Sequence, residues 1–455
     1  IEDSTHTMRA GQRPALLQVW ERTLRRCGDE RAVVQAADGQ AVTFRQLDAR
    51  AAAWRAKHAP QPGTLAGRAV VFAEPNGIGW FEIFLGLLQA GALVVPVDAG
   101  EPPAARRQLA EAVRASHEWS DGRLVPLTKA KRWRDPQRCL VKLTSGTTGQ
   151  PRPLVFTAAQ LLADARQVTT SMRIGPRDLN YAMIPLGHSY GLGNLTIPLL
   201  AQGVPVVCGT APLPHAIAAD FARWRPTVFP GVPVLWRALA ASDVTLPGLR
   251  LTISAGAALS TEVAKMFAAR FGRRLHGFYG SSETGGIAFD RTGTATLKGH
   301  VGRALRGVKL TALPGRKLRV SSAAVLTPGR LRAPGRHGTW IMPDLVILHA
   351  TGQLELVGRR GTIAKIAGRR VSLTEIAARL RALPGVRDAW VGLAAGAEPG
   401  LGAVVASERT AAQLRAALFA GTAAWKIPKK LIVVASLPLT ARGKPDARAL
   451  AALVF

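Results

Sequence analysis

GRAVVFAEPNGIGWFEIFLGLLQAGALVVPV, residues 67–97, decides the fold class of this chain. Two short runs rich in valine flank a longer apolar segment of helical length. A strand, a helix and a second strand in this order predict a β-α-β unit. The two strands are then parallel, because the crossover helix returns the chain to the same end of the sheet.

The same alternation continues in both directions from this unit. Upstream, residues 31–47 predict a hairpin that turns at Asp38-Gly39, followed by a helix that begins with the capping-box pattern Thr43-x-x-Gln46. Downstream, strands and helices alternate from about residue 178 to residue 272. We therefore expect an α/β fold, with a large N-terminal domain of stacked, doubly wound α/β sheets.

The pattern changes twice towards the C-terminus. After about residue 290, short β-like pieces separated by turns predict a β-rich subdomain. After Gly358-Arg359-Arg360-Gly361, a capping box at Ser372-x-x-Glu375 and mixed strands and helices predict a small α+β module. The predicted organisation is a core domain over 1–357, a hinge over 358–361 and a small mobile C-terminal domain over 362–455.

Charge and cysteine content limit the possible partners and compartment. The chain has 60 Lys and Arg against 29 Asp and Glu, a formal net charge of +31, which would attract nucleic acid, anionic lipid or acidic carrier proteins. These cations are scattered without aromatic interleaving, so we expect solvated surface and no nucleic-acid partner. The cysteines are far apart, which fits a reducing cytoplasm and predicts no zinc site. The most apolar window, 81–97, is broken by charge, glycine and proline, so no membrane span is expected.

A loop of small hydroxyl residues and glycines separates two predicted strands in LVKLTSGTTGQPRPLVF, residues 140–156. Glycines let a ligand come close to the backbone, and hydroxyl and N–H groups in such a turn can hold an anion. The loop has no Gly-Lys pair and opens no helix, so it is not a Walker A motif. A Ser/Thr-rich hairpin turn is the alternative to a phosphate-binding loop. The phosphate-binding candidates are Thr144, Ser145, Gly146, Thr147, Thr148 and Gly149.

A second candidate motif is GFYGSSETGG, residues 277–286. An aromatic face can stack on a base, a hydroxyl can hold a phosphate, and a carboxylate can bind Mg²⁺. The motif follows a predicted parallel strand, at the end where open α/β sheets bind ligands. We therefore expect a nucleotide near Tyr279, Gly280, Ser281 and Ser282, and a metal ion at Glu283.

Together these motifs resemble those of the adenylate-forming superfamily, which contains acyl- and aryl-CoA synthetases, peptide-synthetase adenylation domains and luciferases. The resemblance keeps the family's order over nearly the whole chain, and an ordered set is far more specific than any single motif. The matching segments are TSGTTGQPR (144–152), PLGHSYGLG (185–193), ISAGAALS (253–260), YGSSE (279–283), AKIAGRRVSLTEI (364–376) and LTARGKPDARAL (439–450).

The resemblance implies a reaction in two halves. A substrate carboxylate attacks the α-phosphate of ATP with Mg²⁺ present, giving acyl-AMP and pyrophosphate, and a pantetheine thiol of coenzyme A or of a carrier protein then takes the acyl group. By resemblance, Lys444, His188 and Glu283 are catalytic, and Glu283 also binds the metal. Beyond the loop and the 279–282 segment, the implied cofactor-binding residues are Ala255, Gly256, Ala257, Asp344, Arg359 and Gly368.

Residue types near the implied acid site favour some substrates over others. The segment 187–191 has no carboxylate to pair with an α-ammonium group, so an α-amino acid is disfavoured. Mostly small and apolar candidates suit an aromatic acid or a fatty chain: His188, Asn194, Phe229, Gly231, Val232, Ala255, Gly256 and Gly280. Coenzyme A and an acidic acyl carrier protein both remain open as acceptors. The rival hypotheses are a catalytically inactive nucleotide-binding relative and, less favoured, a nucleic-acid-binding protein.

Overall fold

A computed structural model describes most of the chain. The described residues are 15–101, 103–128, 130–133, 135, 137–145, 151–326, 338–359, 363–366, 369–393, 400–419, 422, 426–440 and 444–455. Contacts group the chain into two compact units. The first unit comprises 1–311, 319–340 and 349–354, and the second comprises 312–318, 341–348 and 355–455.

Helices and strands alternate through much of the first unit, and a shorter set follows in the second. The helices are α1 Ala15–Cys27, α2 Phe44–His58, α3 Ile78–Gln89, α4 Pro103–Val113, α5 Ala158–Met172, α6 Ser189–Gly191, α7 Ile197–Gln202, α8 Pro214–Trp224, α9 Pro233–Ala240, α10 Thr261–Phe271, α11 Leu373–Arg381, α12 Ala411–Phe419 and α13 Ala447–Val454. A π-helical segment covers Leu192–Thr196, and a 3₁₀ turn covers Thr296–Lys298.

The strands are β1 Arg31–Gln35, β2 Ala41–Thr43, β3 Ala69–Ala73, β4 Leu93–Val97, β5 His117–Ser120, β6 Arg123–Pro126, β7 Arg138–Ser145, β8 Pro151–Thr157, β9 Asn180–Ala182, β10 Val206–Cys208, β11 Val228–Gly231, β12 Leu251–Ser254, β13 His276–Ser281, β14 Gly285–Phe289, β15 Arg303–Ala304, β16 Lys309–Leu313, β17 Lys317–Ser322, β18 Gly338–Leu348, β19 Leu354–Arg359, β20 Ile363–Ile366, β21 Arg369–Ser372, β22 Val386–Leu393, β23 Leu401–Ser407 and β24 Lys430–Val434.

Two large sheets organise the first unit, which confirms the predicted α/β class. Within the described residues, one sheet has the strand order β15-β14-β13-β12-β11-β9-β10-β1-β2, and the other has the order β6-β5-β3-β4-β7-β8. The predicted β-α-β unit is present, since β3 and β4 pair in parallel with Val70 opposite Val94. A smaller sheet with the order β16-β17-β18-β19 lies in the region predicted to be β-rich.

The central helix α3 is apolar on nearly all sides, which is typical of a helix enclosed by other elements. Its side chains are buried in one apolar cluster that also contains Val33 of β1 and Val70 of β3, one strand from each large sheet. Trp80 stacks on Phe84 at a ring-centroid distance of 4.9 Å. The cluster therefore joins the two sheets into one core.

Local signals for the hairpin and for α2 are confirmed by the structure. β1 and β2 pair in antiparallel fashion, and Gly39 has a φ of +77° at the turn. The Thr43 side chain accepts the Gln46 N–H, and the Gln46 side chain accepts the Thr43 N–H at 2.9 Å. This reciprocal pair satisfies two backbone donors that the first helical turn would otherwise leave unpaired.

Parallel strands at the centre of the longer sheet end close to one another. β11 and β12 pair so that Gly231 lies opposite Ser254, and β12 and β13 pair so that Ser254 lies opposite Gly277. The segments that follow these strands are therefore neighbours, as expected for a ligand site in an open parallel sheet.

The second unit has its own sheet and apolar core. β22 pairs with β23 in antiparallel fashion and β23 pairs with β24 in parallel, and Leu380, Val391 and Leu414 are buried against them. β20 and β21 form a hairpin. Residues 360 and 361 of the predicted hinge, and the side chains of the predicted capping box at 372 and 375, lie outside what is described, so the predicted domain boundary stays a prediction. None of the helices in the described part of the chain has the length and apolar character needed to cross a bilayer.

Candidate functional site

The turn between β13 and β14 presents the hydroxyl and carboxylate residues of the second motif. Tyr279 is largely buried near the end of β13, while Ser281, Ser282 and Glu283 are half-buried. The Ser281 and Thr284 hydroxyls lie 3.0 Å apart. Thr284 is followed by Gly285, whose φ of +69° lets the chain reverse into β14.

Glu283 is held in place through its backbone carbonyl. Its carbonyl oxygen accepts the Leu326 N–H at 2.8 Å. Carboxylate and hydroxyl oxygens are the ligand types that Mg²⁺ prefers. The donor set of Ser281, Ser282 and Glu283 therefore fits that cation.

The segment 187–191 meets this turn directly. Ser189 begins α6, and its hydroxyl donates a 2.9 Å hydrogen bond to the Ser282 hydroxyl. The motif implied to admit the acid and the motif implied to bind the nucleotide are therefore in contact, although 93 positions separate these serines in the chain.

A carboxylate that the sequence analysis missed faces His188. Asp98 follows β4, and its Oδ2 lies 3.4 Å from Nε2 of His188, with both side chains mostly buried. The sequence feature that could have identified Asp98 is its position directly after a predicted parallel strand, where ligand-binding side chains often lie. An acidic partner this close favours a proton on Nε2.

Tyr190 ties the ends of two central strands together. Its hydroxyl donates to the carbonyls of Gly231 at 3.3 Å and Ile253 at 3.2 Å. Burial raises the pKa of Tyr190 well above its usual value, so the phenol stays a neutral donor. Its ring centroid lies 5.9 Å from that of Phe278, which places two aromatic rings beside the turn.

The segment 255–257 forms an exposed turn after β12. Ala255 is buried and its N–H donates to the Gly231 carbonyl at 3.2 Å, whereas Gly256 and Ala257 are exposed. Gly256 has a φ of +85°, and a Cβ built there would lie 3.5 Å from a methyl group of Val232. A flat apolar group could lie against this turn.

Two other pocket candidates are deeply buried. Phe229 lies in the apolar core, with its ring centroid 4.8 Å from that of Trp236. Asn194 is 2% exposed in the π-helical segment, and its side-chain amide donates to the Tyr190 carbonyl at 3.1 Å. The helical turns of this region begin at Ser189 and continue through the π-helical segment into α7.

The remaining candidates lie elsewhere or outside the described residues. Thr144 and Ser145 end β7, while Gly146, Thr147, Thr148, Gly149 and Gly368 are outside the described part. Asp344 is half-buried on β18, and Arg359 ends β19. Lys444 is exposed in a turn of the second unit, where its carbonyl accepts the Thr440 N–H at 2.8 Å.

A buried lysine and a buried aspartate, which the sequence analysis did not single out, lie beneath the turn. Lys142 of β7 and Asp164 of α5 are each 4% exposed. Asp164 Oδ1 accepts the Gly286 N–H at 2.8 Å. Burial raises the pKa of Asp164, and the charge of Lys142 and the Gly286 hydrogen bond oppose that rise. A lysine inside the apolar run LVKL was the signal that sequence offered.

Comparisons with known proteins agree with this arrangement. The family model described as AMP-binding enzyme matches residues 20–119 and 117–317. Benzoate–CoA ligase of Thauera aromatica is 27% identical, over 68% of this chain and 65% of its own. Feruloyl-CoA synthase of Amycolatopsis sp. is 26% identical, over 89% of this chain and 92% of its own.

Solved structures share the fold over almost the entire chain. ATP-bound MatB from Rhodopseudomonas palustris superposes with a TM-score of 0.81 at 22% identity, covering 95% of this chain and 97% of that one. The anthranilate CoA ligase AuaEII in complex with anthranoyl-AMP gives a TM-score of 0.80 at 20% identity, covering 98% and 99%. At these identities the likeness establishes the fold.

Proposed function

The chain belongs to the AMP-binding enzyme family, and from this premise we propose that it is an AMP-forming acid–thiol ligase of the aryl-CoA synthetase type. It uses ATP to activate a carboxylic acid as the acyl-AMP and then transfers the acyl group to coenzyme A. The observation that carries the proposal is the 2.9 Å hydrogen bond between Ser189 and Ser282, because it brings the acid-admitting and nucleotide-binding motifs together.

The first half-reaction needs charge compensation, since a carboxylate must approach a polyanion. Glu283 and the neighbouring hydroxyls would hold Mg²⁺, which when bound neutralises charge that develops on phosphate oxygens. Tyr279 offers its aromatic ring to the adenine. Ser282 holds a phosphate oxygen in a direction set by its hydrogen bond to Ser189.

His188 orients the incoming acid in this proposal. Its contact with Asp98 holds the imidazole ring in place. The Asp98 carboxylate favours a proton on Nε2 and limits rotation of the ring. Asp98 thus has a cationic or proton-bearing partner within the protein. Because Asp98 is paired with His188, it is not available to bind the α-ammonium group of an amino acid. We therefore exclude α-amino acids from the proposed substrate class.

The acid is aromatic in this proposal. Tyr190, Phe278, Gly231 and Val232 supply aromatic and small apolar surface near the turn, which suits a flat ring better than a charged side group. Relatives whose names specify benzoate, ferulate and salicylate support the same class. A fatty acid is the alternative that the assay below includes.

The role of the second unit follows from the resemblance. Lys444 supplies an ammonium group needed for adenylation and not for thioester formation, Asp344 and Arg359 bind the ribose side of the nucleotide, and Gly368 lets the pantetheine arm pass. The loop 144–149 holds the leaving pyrophosphate. The division into a core over 1–357, a hinge over 358–361 and a mobile lid over 362–455 belongs to the same proposal.

An acyl carrier protein is the second candidate for the acceptor. The net charge of +31 favours it, because acidic carrier proteins would be drawn to such a surface. We propose the cytoplasm as the compartment, since Cys27, Cys139 and Cys208 are all free and buried.

The proposal is tested by acid-dependent pyrophosphate release from ATP. Benzoate, hydroxybenzoates, cinnamates, fatty acids and glycine are compared, with coenzyme A or a holo carrier protein as acceptor. Release with aromatic acids alone supports the proposal. Release with fatty acids or glycine overturns the substrate class. ATP binding without release for any acid indicates an inactive relative, and salt-dependent retention on DNA without release indicates a nucleic-acid-binding protein.

A lysine substitution tests the two half-reactions separately. Lys444→Ala should lower pyrophosphate release by about 100-fold or more, while thioester formation from supplied acyl-AMP stays within about threefold of the parent. Lys430→Ala, at another exposed lysine of the second unit, is the matched control and should change neither rate. Equal losses in both half-reactions would contradict the role given to Lys444.

A further inference from the structure

One buried carboxylate contacts both motifs of the candidate site. Asp164 accepts the Gly286 N–H at 2.8 Å. A Cβ built on Gly193 would lie 3.0 Å from Asp164 Oδ2, and one built on Gly285 would overlap the carboxylate. The helical segment after His188 and the turn after Glu283 therefore pack closely against this side chain, and at Gly285 the positive φ and the overlap together require glycine.

Lys142 supplies a positive charge in the same interior. It precedes Thr144 by two positions on β7, and its Nζ lies 4.4 Å from the centroid of the Phe156 ring. Burial lowers the pKa of the Lys142 ammonium, and the negative charges of Asp164 and Glu283 oppose that fall. Lys142 and Asp164 are therefore buried opposite charges in the same interior.

Burying these charges is costly, which calls for a reason to keep them. Buried charges often contribute little net stability compared with apolar residues of the same size, even where they are opposite in sign. Here Asp164 contacts the helical segment from 189 and the turn 281–286, and Lys142 lies on the strand that leads to loop 144–149. A role in fixing these segments explains their location better than stability does.

We infer that Lys142 and Asp164 are positioning residues that hold the turn 281–286 against the helical segment from 189 and thereby set the affinity of the site for Mg·ATP. The inference rests on the proposed function. Neither residue is assigned contact with substrate. Asp164 acts through its hydrogen bond from Gly286, and Lys142 supplies the opposite buried charge in the same interior.

Binding of Mg·ATP to the full-length protein without acid, measured by calorimetry, tests this inference. Asp164→Asn keeps the side-chain shape and an acceptor for the Gly286 N–H but removes the charge, and Lys142→Met keeps an unbranched side chain over Phe156. Each should weaken binding roughly tenfold, the order expected when a hydrogen bond or contact involving a charged group is disturbed. The double variant removes both charges together and should bind about as weakly as the weaker single variant, because the two residues act through one turn.

Asp220→Asn is the matched control, because Asp220 is also a buried carboxylate but accepts hydrogen bonds from Tyr181 and Thr210 in the apolar core. It should leave the Mg·ATP affinity unchanged even if the thermal midpoint falls. A double variant as weak as the weaker single variant supports the inference. Unchanged affinity in both single variants overturns it. A double variant within about threefold of the parent also overturns it, because only an uncompensated buried charge would then have mattered.

Two further outcomes are informative. If a single variant does not fold, the double variant decides: a loss of tenfold or more supports the inference, and affinity within about threefold of the parent overturns it. A parent protein that does not bind Mg·ATP overturns the proposed function as well. If the parent protein binds Mg·ATP and the variants bind it equally well, the inference is overturned and the proposed function stands.

Discussion

Removing the hydroxyl pair that joins the two motifs gives the sharpest test of the site. The bond from Ser189 to Ser282 is 2.9 Å long and joins two neutral, half-buried groups. A hydrogen bond of this kind contributes about 1 kcal/mol, or about fivefold in a rate constant. Ser189→Ala should lower kcat/KM for acid-dependent pyrophosphate release by about that factor. Ser282→Ala should lower it by at least that factor, because it also removes the hydroxyl proposed to hold a phosphate oxygen.

The double variant should lose no more than Ser282→Ala alone, because Ser189 then has no partner hydroxyl left to position. The assay is initial-rate pyrophosphate release with the preferred acid from the substrate screen. Ser281→Ala is the control, since the Ser281 hydroxyl pairs with Thr284 and not with the helical segment. Its effect should multiply with that of Ser189→Ala.

Multiplicative effects of Ser189→Ala and Ser282→Ala would refute this reasoning. They would mean that the two hydroxyls act independently, and that contact between the motifs contributes nothing to catalysis. A coupling of about 1 kcal/mol between Ser189 and Ser282, together with none between Ser189 and Ser281, is the result that the geometry requires.

Three further predictions concern charge, metal binding and packing. Burial acts to raise the pKa of Asp178, but hydrogen bonds, above all the one from Arg250, hold this pKa below its usual value. The ionised Asp178 therefore stabilises the fold near neutral pH, and this stabilisation is lost as pH falls. Arg250→Gln should therefore lower the thermal midpoint at neutral pH and flatten its decline below about pH 5, and an equal loss at every pH would contradict this. Glu283→Gln should reduce pyrophosphate release about 100-fold with little change in thermal midpoint, and a loss under about fivefold would argue against a metal-binding role. Gly191→Ala would place a Cβ against a backbone carbonyl and should lower the free energy of unfolding by about 1–3 kcal/mol. Gly79→Ala is the control, because a Cβ there would have no neighbouring atom within 4 Å, and it should not destabilise the protein. Equal losses at both sites would contradict the packing argument.

Local sequence patterns predicted the fold well because strands, helices and helix caps depend mainly on residues that are close in sequence. The alternation of strands and helices is confirmed in the first unit, and the capping box at Thr43 and Gln46 depends on residues three positions apart. The motif that ends in Glu283 was found for the same reason, since a strand and the turn that follows it are continuous in sequence.

Contacts between distant segments could not be predicted in this way. Asp164 and Gly286 are 122 positions apart, and Asp98 reaches His188 from a different strand. An aspartate within a helical pattern and one after a strand are both common, and only the tertiary fold shows that they face the site. Lys142 was visible as a charge in an apolar run, but its environment was not.

The π-helical segment Leu192–Thr196 has a consequence for how this chain can vary. A π turn accommodates one residue more than an α-helical turn. Deleting one residue there would convert the segment to α-helical geometry and would leave α7 in register with its neighbours. Residues 189–191 would then move along the helix axis towards α7. Single-residue length changes at this position therefore offer a way to shift the proposed acid site without rebuilding the sheets around it.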